Sequence, residues 1–343
     1  MKTIPLCMIG FGNVGQAFAR LLQIKKEVLA KEKGIQFIVT AISTGRHGTA
    51  INVDGLDIER ALSQVEAGKD LGAINRLPAA QSTEEILRAS RAQIMLENTP
   101  VNYQSGQPAL DHIRLALKQG MHAITANKGP VLHGYRSLRQ LAEQKGVQFL
   151  FESTVMDGAP IFSLFNKTLP AIELIGFEGI LNSCTNLLLE RMEGGEDFEH
   201  AVEYARSIGI TETDPSGDID GWDAAIKTAL LVNILMGYDL TIDEVQRKGI
   251  REITMVDMRL AKTEGKRWKL LCRAERKGDK VTASVQPEMV NAQSPFFNVN
   301  GTSSMVVFHT DCLPGLGILE SNPGPETTAF GLLSDILTIT GGR

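Results

Sequence analysis

The chain of 343 residues has only four cysteines, Cys7, Cys184, Cys272 and Cys312, far apart and without a CxxC pair. That spacing provides neither a thiolate zinc site nor a disulfide framework, and it suits a reducing compartment, so cytoplasm is the expected location. No run of Lys and Arg occurs and the net charge is -5, which excludes the basic stripe a nucleic-acid surface needs. No apolar stretch is long enough to span a bilayer. The longest, Ala224 to Met236, is broken by Lys227, Thr228 and Asn233. The N-terminal Met1-Lys2-Thr3-Ile4-Pro5 leads into a short apolar strand, not into the longer apolar run of a signal peptide. What remains is an ordinary globular composition, 43% hydrophobic and 22% charged, long enough for two domains.

The informative glycines come early. Ile4 to Ile9 reads as a strand, Gly10-Phe11-Gly12-Asn13-Val14-Gly15 as a glycine turn, and Gln16 to Gln23 as a helix with Ala17, Phe18, Leu21 and Leu22 on one side. Strand, GxGxxG and helix in that order make a dinucleotide site. The turn is tight, the backbone must approach a pyrophosphate, and the free N–H groups of the helix start bind the phosphates. A second strand, Ile35 to Ser43, ends in Ser43-Thr44-Gly45-Arg46-His47 with no carboxylate before Asp54. A carboxylate there would select NAD through the ribose 2′-hydroxyl; Arg46 or His47 instead suits a 2′-phosphate, so the reading leans to NADP with NAD open.

Alternation continues through a helix at 83–89 capped by Ser82 or Thr83, a strand at 93–97 ending in Asn98-Thr99-Pro100, a helix at 108–118, and a strand at 122–125 ending in Ala126-Asn127-Lys128-Gly129-Pro130. Such alternation implies a parallel sheet with ligands beyond its carboxyl ends, where Thr99 and Lys128 fall. The predicted fold is α/β: a Rossmann-type doubly wound domain over 1–146, a second α+β domain over 147–314 for substrate and dimerisation, and a C-terminal part of about 315–343 returning to the first. In the second domain strands are expected at 147–152, 172–180, 281–285 and 305–309, with a helix at 161–168.

The acidic stretch Glu212-Thr213-Asp214-Pro215-Ser216-Gly217-Asp218-Ile219-Asp220 runs into an apolar helix carrying Asp223 and Lys227. Four residues apart, they share one helix face. A surface pair would contribute a few tenths of a kcal/mol, but Ala224, Ala225, Ile226, Ala229, Leu230, Leu231 and Val232 leave little polar surface. A lysine there is partly buried and needs its carboxylate, and such a lysine is suited to acid/base work. Asp218 or Asp220 is a candidate cap for this helix, and the neighbouring carboxylates suit a substrate ammonium.

Ala205, Gly209, Ile210, Thr211, Asp214, Pro215, Asp218, Gly221, Asp223 and Lys227 together resemble the signature of the homoserine dehydrogenase family. The resemblance extends along nearly the whole chain through GFGNVG (10–15), ANKGP (126–130), ESTV and GAPI (152–155, 158–161), GILNSCTN (179–186) and PGPETTA (323–329). It implies that Asp223 and Lys227 are the catalytic pair, with Lys128 holding the substrate carboxylate and assisting proton transfer. It places Glu212 on the amino group, Asp218 near the hydroxyl, and Ser183 and Cys184 against the substrate. Gly10, Gly12, Asn13, Val14, Gly15, Arg46, Thr99, Pro100, Lys128, Gly324 and Glu326 become cofactor contacts. A monovalent cation such as sodium is implied at Glu152, Val155, Asp157 and Ala159, mostly through carbonyls. The family association further implies a homodimer, without a C-terminal regulatory domain.

Three departures from the family pattern fall near the expected substrate or nicotinamide: Met156-Asp157 in a glycine-rich loop, Ser183-Cys184 in NGTTN, and Pro325-Glu326 in PGAG. They motivate an alternative in which the same machinery acts on another small hydroxy acid or amino-acid semialdehyde. A non-catalytic NADP(H) sensor is a third reading, against which the retained Asp223, Lys227 and Lys128 weigh. Cys184 has no histidine near it in sequence and reads as a small buried group, not a nucleophile.

Overall fold

The computed structural model describes residues 1–78, 80–211 and 214–341. They form two compact units: Met1–Pro160 with Gly324–Arg343, and Ile161–Pro323. These boundaries differ from the expected 146/147 and 314/315. The reason is local: the segment after residue 146 still adds a strand to the first sheet and then binds the C-terminal helix.

In the first unit β1 (Lys2–Ile9), α1 (Asn13–Lys33), β2 (Ile35–Ser43), β3 (Thr49–Ile51), α2 (Ile58–Glu66), α3 (Thr83–Ser90), β4 (Ile94–Glu97), α4 (Ala109–Lys118), β5 (His122–Thr125), α5 (Lys128–Lys145) and β6 (Phe149–Leu150) follow in order. The sheet runs β3-β2-β1-β4-β5-β6, parallel throughout except that β3 folds back antiparallel on β2. All four residues of β4 are buried, as expected of a strand covered on both faces. The α1 helix is longer than its first apolar turns indicate and stops at Gly34, which takes a left-handed conformation with φ 65°. The C-terminal helix Pro325–Thr340 lays Ala329, Leu332, Leu333 and Ile336 into the core that β1 and α1 share. Ser153 Oγ donates to its Thr328 carbonyl at 2.8 Å and Asp335 accepts from Glu152 N at 2.9 Å, which fastens residues 152–153 to this unit.

The second unit contains α6 (Phe162–Lys167), β7 (Leu174–Ile180), α7 (Ser183–Glu193), α8 (Phe198–Ser207), α9 (Ser216–Ile219), α10 (Trp222–Leu235), β8 (Gln246–Arg247), α11 (Met255–Thr263), β9 (Arg267–Lys277), β10 (Lys280–Val290), β11 (Ser304–Thr310) and β12 (Leu316–Glu320). Its sheet order is β12-β11-β7-β9-β10-β8, antiparallel apart from the short β8–β10 pair. Lys277 pairs with Lys280, leaving Gly278-Asp279 as a two-residue hairpin turn with φ 62° at the glycine. The α7 and α10 helices pack on this sheet. Helix α10 is buried nearly all round, including Asp223 and Thr228, which is why its sequence shows little polar face.

Among the described residues no helix is long and apolar enough to cross a membrane.

Candidate active site

Helix α10 begins at Gly221, whose φ of 81° lets the chain turn sharply out of α9, and no side chain caps it. The candidate caps do other work. Asp220 forms an ion pair with Arg251 at 2.9 Å, and Asp218 lies inside α9. In its first turn α10 carries Asp223 and one turn later Lys227, whose Nζ meets Asp223 Oδ2 at 2.9 Å. Lys227 Nζ also donates to the Leu181 carbonyl at 2.7 Å. Both side chains are mostly buried, with 10% of Asp223 and 17% of Lys227 exposed. At that depth an unpaired charge would cost several kcal/mol, so the pair is mutually required.

Asp218 joins them through Asn182, whose Nδ2 donates to Asp218 Oδ1 at 2.7 Å and to Asp223 Oδ2 at 3.0 Å. Thr211 Oγ1 donates to the other Asp218 oxygen at 2.9 Å. Burial pushes the Asp218 carboxyl above its ordinary range, and the charge of Asp223 adds to this; Asn182, Thr211 and Lys227 oppose it. Cys184, in the first turn of α7, is buried in the same place. Its thiol is pushed up by burial and then by the Asp218 charge, the opposite of an activated nucleophile. Ser183 Oγ lies 3.3 Å from Ser304 Oγ. Glu212 lies outside the described residues.

The first unit holds the residues expected at the nucleotide. Gly10, with φ 94°, would place a Cβ 2.5 Å from the Asn98 carbonyl carbon, so only glycine fits between β1 and β4. A Cβ on Gly12 would meet nothing within 4 Å. The start of α1 has neither a capping side chain nor an acid in its first turn. Asn98 places both amide atoms in burial without a partner among the described residues. Open space, unsatisfied helix N–H groups and an orphaned amide fit a nicotinamide dinucleotide, with Gly10, Gly12, Asn13, Val14 and Gly15 at the pyrophosphate. Arg46 is exposed in the turn after β2. Thr99 follows β4 and Pro100 is exposed beside it. Gly324 is the N-cap of the C-terminal helix, with Glu326 in its first turn.

Lys128 falls beyond the carboxyl end of β5, as expected, and is the first residue of α5, capped by Asn127 accepting from Gly129 N at 2.9 Å. Proline at its third position starts this helix without loss, because its absent N–H has no intrahelical partner there. Glu152, Val155 and Ala159 are buried, and Asp157 is partly exposed with φ 44°. No group of three or more His, Cys, Asp and Glu side chains gathers as a metal site among the described residues.

Two groups escaped the sequence reading. Asn182, read only as part of the GILNSCTN match, caps α7 and has a second task besides. Glu97 ends an otherwise apolar strand and is fully buried. It accepts from Thr99 N at 3.2 Å, from the Thr99 hydroxyl, and from Thr125 Oγ1 at 3.4 Å. A carboxylate closing an apolar strand was the available signal.

The profile of the homoserine dehydrogenase family matches residues 160–337, and that of its NAD-binding domain matches residues 10–152. The chain belongs to the homoserine dehydrogenase family. An NAD(+)-dependent homoserine dehydrogenase of Pseudomonas canavaninivorans is 34% identical over 99% of this chain and 97% of its own. A homoserine dehydrogenase of Methanocaldococcus jannaschii is 37% identical over 98% of each. Among solved structures, a hyperthermophilic archaeal homoserine dehydrogenase in complex with NADPH has a TM-score of 0.83 at 28% identity, covering 100% of this chain and 99% of that one. Membership makes the protein an NAD(P)-dependent oxidoreductase acting on a hydroxyl group, and the first unit its Rossmann-type nucleotide domain.

Proposed function

We propose that the protein interconverts L-homoserine and L-aspartate 4-semialdehyde, in the threonine and methionine branch of amino-acid biosynthesis. The observation that carries this reading is the fixation of Lys227 Nζ between Asp223 Oδ2 at 2.9 Å and the Leu181 carbonyl at 2.7 Å. Two of the three ammonium protons are thereby committed and the third is available to a substrate oxygen. When bound, the nicotinamide supplies or accepts the hydride. Lys227 is the general acid that gives its remaining proton to the aldehyde oxygen during reduction, and the base in the reverse direction. Asp223 holds the ammonium in place and balances its charge. By resemblance Asp218 meets the substrate hydroxyl, Ser183 and Cys184 border it, Glu212 takes the ammonium, and Lys128 takes the carboxylate.

The cofactor is NADP, with NAD also used. Exposed Arg46 and the lack of a carboxylate at the end of β2 support this. So does the NADPH bound to the archaeal structure, whereas the Pseudomonas relative is named for NAD(+). By resemblance, Glu152, Val155, Asp157 and Ala159 would hold a monovalent cation such as sodium, mostly through carbonyls. The enzyme works as a cytoplasmic homodimer; the free cysteines support the compartment, and the family resemblance alone supports the dimer.

The test is oxidation of NADPH, then NADH, with aspartate semialdehyde as substrate, beside Lys227→Met. Wild-type turnover that falls about 10²–10⁴-fold in the variant, with cofactor binding retained, is the expected result. Cofactor binding without turnover of this substrate would discard it. Turnover of another small hydroxy acid would then favour the second reading, which rests on the departures at Ser183 and Cys184, the latter beside Asp218.

A further inference from the structure

Asn182 closes β7 and caps α7. Its Oδ1 accepts from Thr185 N at 2.8 Å and from Thr185 Oγ1 at 3.0 Å. Its Nδ2 donates to Asp218 Oδ1 and Asp223 Oδ2. The amide has one workable orientation. Reversed, it would set its oxygen against two carboxylates and its NH₂ group against the Thr185 N–H. The residue is 5% exposed, so water does not replace these bonds. The preceding carbonyl, that of Leu181, is the one that receives Lys227 Nζ. One turn of backbone therefore touches all three members of the site: Asp218 from α9, and Asp223 and Lys227 from α10.

We infer that Asn182 is a positioning residue for the reaction: its single NH₂ group binds both carboxylates at once and sets Asp218 against the Asp223–Lys227 pair. This rests on the catalytic reading above. Two carboxylates so near would ordinarily compete for one proton. A neutral donor with two protons, one for each, lets them stand side by side without adding a cation that would compete with Lys227. Thr211 completes the set on the outer oxygen of Asp218. Among the described residues, the titratable groups that bear on Asp218 are Asp223 and Lys227 of α10 and Cys184 of α7.

The test separates the cap from the bridge. Asn182→Ser keeps a good N-cap for α7 but offers one hydroxyl proton, enough for one carboxylate only. With this bridge cut, Asp218 keeps its proton to higher pH. The expected result is a loss in kcat/KM of about tenfold at the acid end of the profile that shrinks to about threefold or less at the alkaline end, with the melting temperature little changed. Carbon-13 carboxyl labelling of aspartate, followed by NMR titration of the cofactor-free protein, should show Asp218 titrating at higher pH in the variant. A pH–rate profile that drops in parallel at every pH would overturn the inference. So would an unmoved Asp218 titration, which is readable even if the wild type fails to turn over the semialdehyde. That last failure would count against the proposed substrate, not against the bridge.

Discussion

Lys269 Nζ donates to Asn186 Oδ1 at 2.9 Å inside the second unit, where the lysine is 1% exposed. It also donates to the Val299 carbonyl at 2.5 Å. Asn186 Nδ2 in turn donates to the carbonyls of Val299, at 3.1 Å, and Gly301, at 2.9 Å. The two side chains thus clamp the turn that leads into β11. Burial, then the charge of Arg267, lowers the lysine to about 8, against the partial support of Glu190 and Glu193.

A pH dependence follows from that ammonium. Its pKa in the fold lies below its unfolded value near 10.5, so the folded protein releases this proton first. The resulting stability is fully present above about pH 10.5 and is lost as pH falls through about 8. Integrated over that window it amounts to roughly 3 kcal/mol. The buried thiols of Cys7, Cys184 and Cys272 are pushed up and lower the stability of both proteins as pH rises, so urea denaturation at about pH 7 and pH 10 should show the wild type gaining stability relative to Lys269→Met. Equal slopes for the two proteins would mean that the ammonium is relieved by water or a neighbour.

Gly10→Ala should disable the nucleotide turn. The added Cβ would meet the Asn98 carbonyl carbon and oxygen at 2.5 Å and Thr99 N at 2.7 Å, all of them backbone. The left-handed φ of 94° adds strain. Overpacking of this kind costs about 1–3 kcal/mol, and the same shift moves Asn98 and Thr99. The expected outcome is a lowered melting temperature together with a cofactor affinity reduced at least about tenfold by fluorescence titration. A normal affinity would separate this turn from the cofactor.

The sequence announced most of the first unit because its signals are local. Glycine turn, apolar strand and helix repeat within short windows, and a four-residue spacing places Asp223 beside Lys227 whatever the tertiary context. Lys128 lies beyond the carboxyl end of β5 as expected, but Asn127-Lys128-Gly129-Pro130 did not reveal that it also opens a capped helix. The domain boundary moved because Glu152 and Ser153 bind the distant C-terminal helix. Asn182 could not be assigned from sequence. Its two carboxylates lie 36 and 41 residues away, and only the fold brings them together.

On the proposed NADP preference, Arg46 is the candidate partner of the 2′-phosphate. It lies exposed in the turn that follows β2, where the ribose of the adenosine half is expected. Arg46→Ala should raise KM for NADPH by about tenfold, the worth of one charge-assisted contact to a phosphate, and leave KM for NADH within about twofold. Steady-state kinetics with both cofactors measures the ratio. An equal change in both would assign Arg46 to a general electrostatic role and remove it from the 2′-phosphate.

Met156 sets two effects against each other, and their sizes predict the winner. Its φ of 53° is left-handed, as is that of Asp157 at 44°, in a loop where the family pattern has glycine. Such a backbone costs a methionine about 1–2 kcal/mol. Yet the side chain is 4% exposed, and truncating a buried methionine costs about 2–5 kcal/mol. Glycine would also lose roughly 0.5–1 kcal/mol through its freer unfolded chain. Burial therefore outweighs strain, and Met156→Gly should destabilise the protein by about 1 kcal/mol or more, although it restores the family residue type. Thermal unfolding of Met156→Gly beside Met156→Leu reads the balance, with the leucine variant expected near the wild type because it keeps volume. A glycine variant that melts higher than the wild type would mean that strain at this turn exceeds the packing of its side chain.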